Sequence, residues 1–145
     1  MRILIGAVLA CITAGCSTVG ESDYAIQLSE SRIQQAYTRG DLAATEALLR
    51  KRLKQQGSDS ASWLMLGQVL MRTHDYSAAQ QSFETATRLD PNYAGGWYYL
   101  AMSHLRLATE ALIEADAKMD QETPLPLLLW LLELQTGKPM EPLTF

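Results

Sequence analysis

This sequence has only two histidines and two cysteines, and the spacing of its candidate catalytic and metal-binding residues does not build a reactive site. The two histidines, His74 and His104, are 30 residues apart, and neither has a second metal ligand one helical turn away. No serine lies in a nucleophile elbow, and no glycine-rich phosphate loop is present. We therefore predict no catalytic residue, no metal site and no enzymatic activity.

The two cysteines, Cys11 and Cys16, lie near the N-terminus, so they cannot form a disulfide framework through the chain. Residues 1–16 read MRILIGAVLACITAGC, which is a basic start, an apolar run and small residues before a cysteine. This order is typical of an export signal, and the apolar run is short for a membrane span. The sulfur chemistry of this chain is therefore expected to be a modification at its N-terminus.

Residues 13–16, TAGC, resemble a bacterial lipobox, although Thr13 stands where leucine is commoner. The resemblance implies that residues 1–15 are a signal peptide and that Cys16 carries covalent lipid, including palmitate. No other cofactor is expected. Cys11 is the rival site, but using it would shorten the apolar run.

The residue after the cysteine bears on the location of the protein. Ser17 stands where an aspartate would typically retain a lipoprotein in the inner membrane. The resemblance therefore implies a lipid anchor in the outer membrane of a Gram-negative bacterium, facing the periplasm. Residues 16–23 are predicted to be the lipidated cysteine and a polar tether.

Composition favours one folded domain, which we assign to residues 24–145. Hydrophobic residues make up 48% of the 145 residues and charged residues 19%, so a packed core is feasible. The net charge is -4, and an acidic surface repels phosphate backbones. Nucleic acid is therefore not an expected partner.

Residues 60–91 contain the clearest internal pattern. Apolar and small residues recur at helical spacing on both sides of a break, where Asp75 is a predicted N-cap. The residues that carry this pattern are Trp63, Leu66, Gly67, Tyr76, Ala79, Phe83, Ala86 and Pro91. Together they resemble a tetratricopeptide (TPR) repeat, a helix–turn–helix of about 34 residues. Gly67 is expected to let the paired helix approach closely, because glycine otherwise costs helix stability.

Weaker copies lie on either side at the same offset of 34 residues. Asp41 aligns with Asp75 and Leu49 with Phe83, which predicts a first repeat over about 26–59. The second repeat covers 60–93, and a third, degenerate repeat over 94–122 adds Trp97, Leu100 and Ala101 to the predicted core. Truncating Trp63, Phe83 or Trp97 to alanine is expected to cost about 3–5 kcal/mol. The fold class is therefore all-α: a TPR-type solenoid of about three helical hairpins plus a C-terminal helix.

The C-terminal helix is read as a partial fourth repeat over 123–145. Its run from Leu127 to Leu134 is apolar on nearly every side. Either the following tail covers this surface, or the helix is a plain cap, or the surface binds a partner or a second copy through Leu128 and Leu132.

In TPR proteins the first helix of each pair lines a concave wall, and this resemblance places a partner-binding groove on two helices. One helix contributes Leu64, Gln68, Met71 and Arg72, and the next contributes Gly95, Tyr98, Met102, Leu105 and Arg106. Apolar anchors with arginine suit an extended peptide or a partner helix. Met71 and Met102 serve equally well as core residues.

The expected function is a membrane-anchored periplasmic scaffold or adaptor that binds a protein partner. By resemblance of architecture, the sharpest version is a pilotin-like factor that assists assembly of a pilus or secretion complex. The alternatives are an adaptor for a periplasmic protease or cell-wall enzyme, and a structural homo-oligomer through the C-terminal helix.

Overall fold

The computed structural model describes residues 18–118 and 125–138, and this part of the chain forms α-helices joined by short turns, with no strand. The all-α class predicted from the sequence is confirmed. The helices are α1 (Thr18–Thr38), α2 (Leu42–Gln55), α3 (Ser60–Arg72), α4 (Tyr76–Leu89), α5 (Ala94–Asp116) and α6 (Leu125–Thr136).

The helices stack in chain order. Each one packs mainly on the helix before it and the helix after it, with a smaller contact between α3 and α5. The pairs α1–α2 and α3–α4 are the two complete hairpins that the 34-residue offset predicts. This neighbour-to-neighbour packing is the arrangement of a TPR-type solenoid.

Aspartate side chains begin three consecutive helices. The carboxylates of Asp41, Asp59 and Asp75 each accept a hydrogen bond from the backbone N–H three residues later, at 3.0–3.1 Å. An N-cap of this kind satisfies one of the unpaired N–H groups in the first helical turn. The sequence predicted the cap at Asp75, and the structure repeats it at α2 and α3.

The turns within the two complete hairpins have the same backbone. Gly40 and His74, one repeat apart, both adopt a positive φ, of 75° and 65°. In each turn the following aspartate donates its N–H to the carbonyl five residues earlier, at 3.0 Å. Histidine is one of the few residue types enriched in this left-handed region. The position of His74 is thus explained by turn geometry.

The core lies between α3 and its neighbours and centres on Phe83. Phe83 is completely buried, and its ring stacks on Tyr99 of α5 with centroids 5.6 Å apart. A Cβ added to Gly67 would lie 2.4 Å from Cε1 of Phe83, so only glycine leaves room for this ring. Leu49, the equivalent of Phe83 in the first hairpin, is also buried.

The third repeat differs from the prediction. A turn and a second helix from about Thr109 were expected, but α5 continues unbroken from Ala94 to Asp116. Ala108 and Thr109 occupy the places of His74 and Asp75, so the left-handed residue and the capping aspartate are both missing. The Thr109 hydroxyl instead donates to the Leu105 carbonyl within the helix, at 2.8 Å. The predicted hairpin over 94–122 is therefore wrong.

The prediction that Trp97 is a core residue is also wrong, because 52% of its surface is exposed. In the second repeat, α4 and its neighbours pack around α3. The third repeat has no second helix in the described chain, so the Trp97 ring lacks such a cover. The indole N–H of Trp97 donates to the Pro91 carbonyl at 2.9 Å, and that of Trp63 donates to the Gly57 carbonyl at 2.8 Å. Both tryptophans thus tie down the loop before their own helix.

The remaining predicted core positions differ in burial. Pro91, in the connection between α4 and α5, and Ala101, on α5, are exposed, which contradicts the prediction. Trp63 and Leu100 are half-buried against the core, and Tyr76 is half-buried at the start of α4. Leu66, Gly67, Ala79 and Ala86 are buried.

The N-terminal helix starts earlier than predicted. α1 begins at Thr18, within the segment 16–23 that was expected to be a tether. The predicted signal peptide, residues 1–15, and Cys16 lie outside the described residues. No helix of the described chain is long and apolar enough to cross a membrane.

Gly67→Ala tests the contact between α3 and α4. We expect a loss of about 1–3 kcal/mol in unfolding free energy, because the new methyl group overlaps the buried Phe83 ring. Urea denaturation measures this loss. Adding Phe83→Leu to Gly67→Ala should cost less than Phe83→Leu costs alone in the wild type.

Gly57→Ala is the matched control, because a Cβ there meets only the Leu53 carbonyl at 3.5 Å. Its stability should stay within about 0.5 kcal/mol of the wild type. Equal effects of the two glycine substitutions would contradict the close approach of α3 and α4.

Asp59 links α2 to α3 through an ion pair. Its carboxylate accepts hydrogen bonds from the Arg52 guanidinium at 2.9 Å and from the Ser62 hydroxyl at 2.7 Å. Burial alone would raise the pKa of Asp59, but the hydrogen bonds from Ser62 and the charge of Arg52 hold this pKa below its ordinary value. Ionised Asp59 therefore stabilises the fold.

Asp59→Asn retains a capping side chain but removes the charge, so it isolates the ion pair. We expect a loss of about 1–2 kcal/mol at neutral pH. Because the folded-state pKa is lowered, this difference is fully present above the ordinary aspartate pKa and disappears as the pH falls through the lower value. Urea denaturation of both proteins at stepwise lower pH measures it.

Glu46→Gln breaks the exposed pair with Arg50 and serves as the control. It should change stability by no more than about 0.5 kcal/mol at any pH. A difference between the wild type and Asp59→Asn that persists undiminished into strong acid would contradict the assignment.

Candidate functional site

A pocket of about 420 Å³ opens beside α3, between α1 and the end of α4. Its volume lies within the usual range of ligand sites, roughly 300–1,000 Å³. The residues that line it are Gln34, Tyr37, Ser60, Ala61, Leu64, Met65, Gln68, Ala86, Asp90 and Tyr93. We call this pocket the groove.

The groove is built mainly by the first helices of the two complete hairpins. Gln34 on α1 and Gln68 on α3 stand one repeat apart, so successive hairpins present the same amide to the same space. Leu64 and Met65 are half-buried and pack against the core cluster on their inner side. The groove wall is therefore backed by the packed core.

The groove is mostly uncharged. Asp90 is the one ionisable acid or base among its lining residues apart from the tyrosines, and its side chain is exposed at the C-cap of α4. At the other end of α3, the Arg72 guanidinium lies over the Tyr37 ring, 5.4 Å from the centroid. The lining contains neither histidine nor cysteine, and its chemistry is recognition by apolar surface, amides and one carboxylate.

Of the groove residues predicted on α3, Leu64 and Gln68 line the pocket. Met71 instead packs against the core cluster, which is the alternative that the sequence left open. Arg72 reaches the groove only through its contact with Tyr37. The predicted helix, α3, therefore lines the groove, but along its first three turns and not at its C-terminal end.

The predicted α5 residues do not line this pocket. Tyr98 is exposed and lies edge-on to Tyr99, with centroids 5.5 Å apart. The Leu105 carbonyl accepts a hydrogen bond from Gln135 of α6 at 3.0 Å. Met102 and Arg106 are half-buried, outside the groove. Gly95 faces Tyr93, whose ring lies 2.7 Å from a Cβ added there.

Eight of the ten lining residues were not predicted for the groove, and four of them lie outside α3 and the predicted core. Gln34 was detectable from the 34-residue offset to Gln68, because equivalent positions of successive repeats face the same side. Tyr37 lies one turn further along the same face of α1. Asp90 and Tyr93 belong to the connection between α4 and α5, and no repeat pattern marks that connection as part of a groove.

The exposed surface of α6 differs from the predicted one. Leu128 and Leu132, proposed for self-association, are half-buried. Leu131 is buried, while Leu127, Trp130 and Leu134 form an exposed stripe at spacings of three and four residues. Any contact through α6 would therefore use this stripe.

The histidines occupy structural positions. His74 lies in the turn before α4, and its ring is edge-on to Tyr76 with centroids 5.8 Å apart. His104 is exposed on α5. Within residues 18–118 and 125–138, no group of three histidine, cysteine or acidic side chains is placed to hold a metal ion.

Comparison with protein-family models gives a match over residues 23–118, to the model described as the cytochrome c-type biogenesis protein H TPR domain. This range covers about two thirds of the chain, from α1 to the end of α5. Comparison with curated proteins gives no match. The matched range contains both complete hairpins, the groove and the unbroken α5, and on this ground the chain belongs to the family of the cytochrome c-type biogenesis protein H TPR domain.

Proposed function

We propose that this protein is a membrane-anchored adaptor that holds a partner polypeptide in its groove, and that the process it serves is cytochrome c-type biogenesis. The TPR domain supports a role in protein interaction, and the description of the matching family supplies the process. The role is binding without catalysis.

The observation that carries this proposal is the groove itself. It is bordered by two equivalent glutamines, two tyrosines and the half-buried Leu64 and Met65, on packed helices and the connection that follows α4. Amide side chains can pair with peptide N–H and C=O groups, while the apolar wall takes side chains. Because the scaffold is already packed, little ordering accompanies binding.

The anchor follows from the sequence. Lipid on Cys16 would hold the domain at the periplasmic face of the outer membrane. Since α1 begins at Thr18, the connection between the lipid and the fold is very short. Restriction to a membrane surface raises the effective concentration of the partner, so modest groove affinity suffices.

The process that we propose differs from the pilotin-like assembly role expected from architecture alone. That role rests on an analogy of architecture, and the adaptor for a protease or cell-wall enzyme is a separate alternative. The family match favours cytochrome c-type biogenesis. Self-association through α6 stays a separate hypothesis, which the exposed Leu127, Trp130 and Leu134 support.

Photo-crosslinking in intact cell envelopes tests the groove. A crosslinking amino acid at Gln68, inside the groove, should capture a polypeptide partner, whereas one at exposed Gln81 on α4 should not. Adding Leu64→Asn should reduce capture at Gln68 at least about tenfold, because it places an uncharged polar group without a partner in the apolar wall. Mass spectrometry identifies the product.

Three outcomes bear on the two parts of the proposal. Equal capture at Gln68 and Gln81, or none at Gln68, would contradict groove binding. A captured protein with no part in cytochrome c-type biogenesis would overturn the proposed process and leave groove binding intact.

The anchor is tested by matched cysteine substitutions. Cys16→Ser should abolish lipid labelling and move the protein out of the membrane fraction, because the acylated thiol is lost. Cys11→Ser should leave labelling and fractionation unchanged. The reverse pattern would assign the anchor to Cys11, and a wild-type protein that takes up no lipid label would rule out a lipoprotein.

A further inference from the structure

We infer that the groove takes a lysine or arginine side chain of the partner polypeptide, with Asp90 as its counter-ion. This inference rests on the proposed function, because it specifies which kind of side chain anchors the polypeptide. It depends on three features of the described residues: the shape of the groove wall, the position of Asp90 and the position of Arg72.

The groove wall fits a long aliphatic stem. Leu64 and Met65 provide half-buried apolar surface, and the small side chains of Ala61 and Ala86 leave space between the helices. Lysine and arginine bury their methylene stems on apolar surface while the charged end remains near water. The open mouth of the groove permits that arrangement.

Asp90 provides a negative charge at one end of the groove, where the charged end of such a stem would lie. Asp90 is exposed at the C-terminal end of α4 and lines the groove together with Ser60, the first residue of α3. No ion pair in the described part of the chain involves Asp90. Asp59, the other acid near the start of α3, is already paired with Arg52 at 2.9 Å. Asp90 is thus the carboxylate available to a guest.

Arg72 makes the two ends of the groove differ in charge. It is the last residue of α3, about 18 Å from Ser60 along the helix, and its guanidinium stacks on Tyr37. A cationic guest is therefore repelled at the Tyr37 end and attracted at the Asp90 end. An acidic guest side chain would be repelled by Asp90, and a purely apolar one would remove water from the Asp90 carboxylate without replacing it.

Small probes test this preference directly. Three amino-acid amides, N-acetyl-lysine, N-acetyl-norleucine and N-acetyl-glutamate N-methylamides, are titrated into the purified full-length protein in detergent. The shifts of the Leu64 and Met65 methyl resonances are followed by NMR. Norleucine has the apolar stem of lysine without the charge, so the ratio of their dissociation constants isolates the contribution of Asp90.

We expect the lysine probe to bind about three- to fivefold more tightly than norleucine at low salt, since Asp90 is exposed and its pairing is partly screened. The glutamate probe should bind most weakly. Asp90→Asn should bring the lysine-to-norleucine ratio to about one. Glu84→Gln, which removes the same charge from α4 outside the groove, should leave the ratio unchanged.

Equal binding of the lysine and norleucine probes to the wild type would overturn the inference, as would a lysine preference that survives Asp90→Asn. Failure of every probe to shift the groove resonances would overturn it as well. None of these results decides the proposed function, because capture of a polypeptide at Gln68 is measured independently.

Discussion

The contact between Phe83 and Gly67 determines how the rest of the domain packs. The ring occupies the space where a Cβ at Gly67 would be, so α3 and α4 lie closer together than larger side chains would permit. The other face of Phe83 stacks on Tyr99, which fixes α5 against the same hairpin. The groove lies along a neighbouring face of α3, where Ala86 of α4 also lines it. The packed core around Phe83 therefore backs the groove wall.

The features predictable from the sequence are those that a repeat encodes locally. A cap, a turn and a buried apolar residue recur at a fixed offset because each hairpin has the same packing requirement. Asp75, the turn at Gly40 and the glycine opposite Phe83 were accessible in this way. A fixed offset also predicts features at positions where the local residues do not support them. The third repeat contains Trp97 but lacks the residue with positive φ and the capping aspartate. Without these two residues, α5 continues through the position of the expected turn.

The groove was only partly predictable, for a related reason. Its α3 wall follows from the TPR pattern, because Leu64 and Gln68 occupy inner positions of a first helix. Its other end comes from the charged Asp90 and the uncharged Tyr93, in a connection whose path depends on how α5 packs against α4. The assumption that α5 continues the wall failed because the lining ends at that connection and includes no residue of α5. Helical periodicity cannot report the position of a loop relative to a neighbouring hairpin.

Packing between successive helices also determines which part of the domain can unfold locally. Because α6 contacts α5 and no earlier helix of the described chain, local opening at that end need not disturb α1 or α3. The polar bonds across this last interface come from one side chain, Gln135, which donates to the Leu105 carbonyl and to the Thr109 hydroxyl. Fraying should therefore begin at the C-terminal helix and stop short of the first two hairpins. A protease that removed the terminal helix could leave a fragment that still recognises its guest.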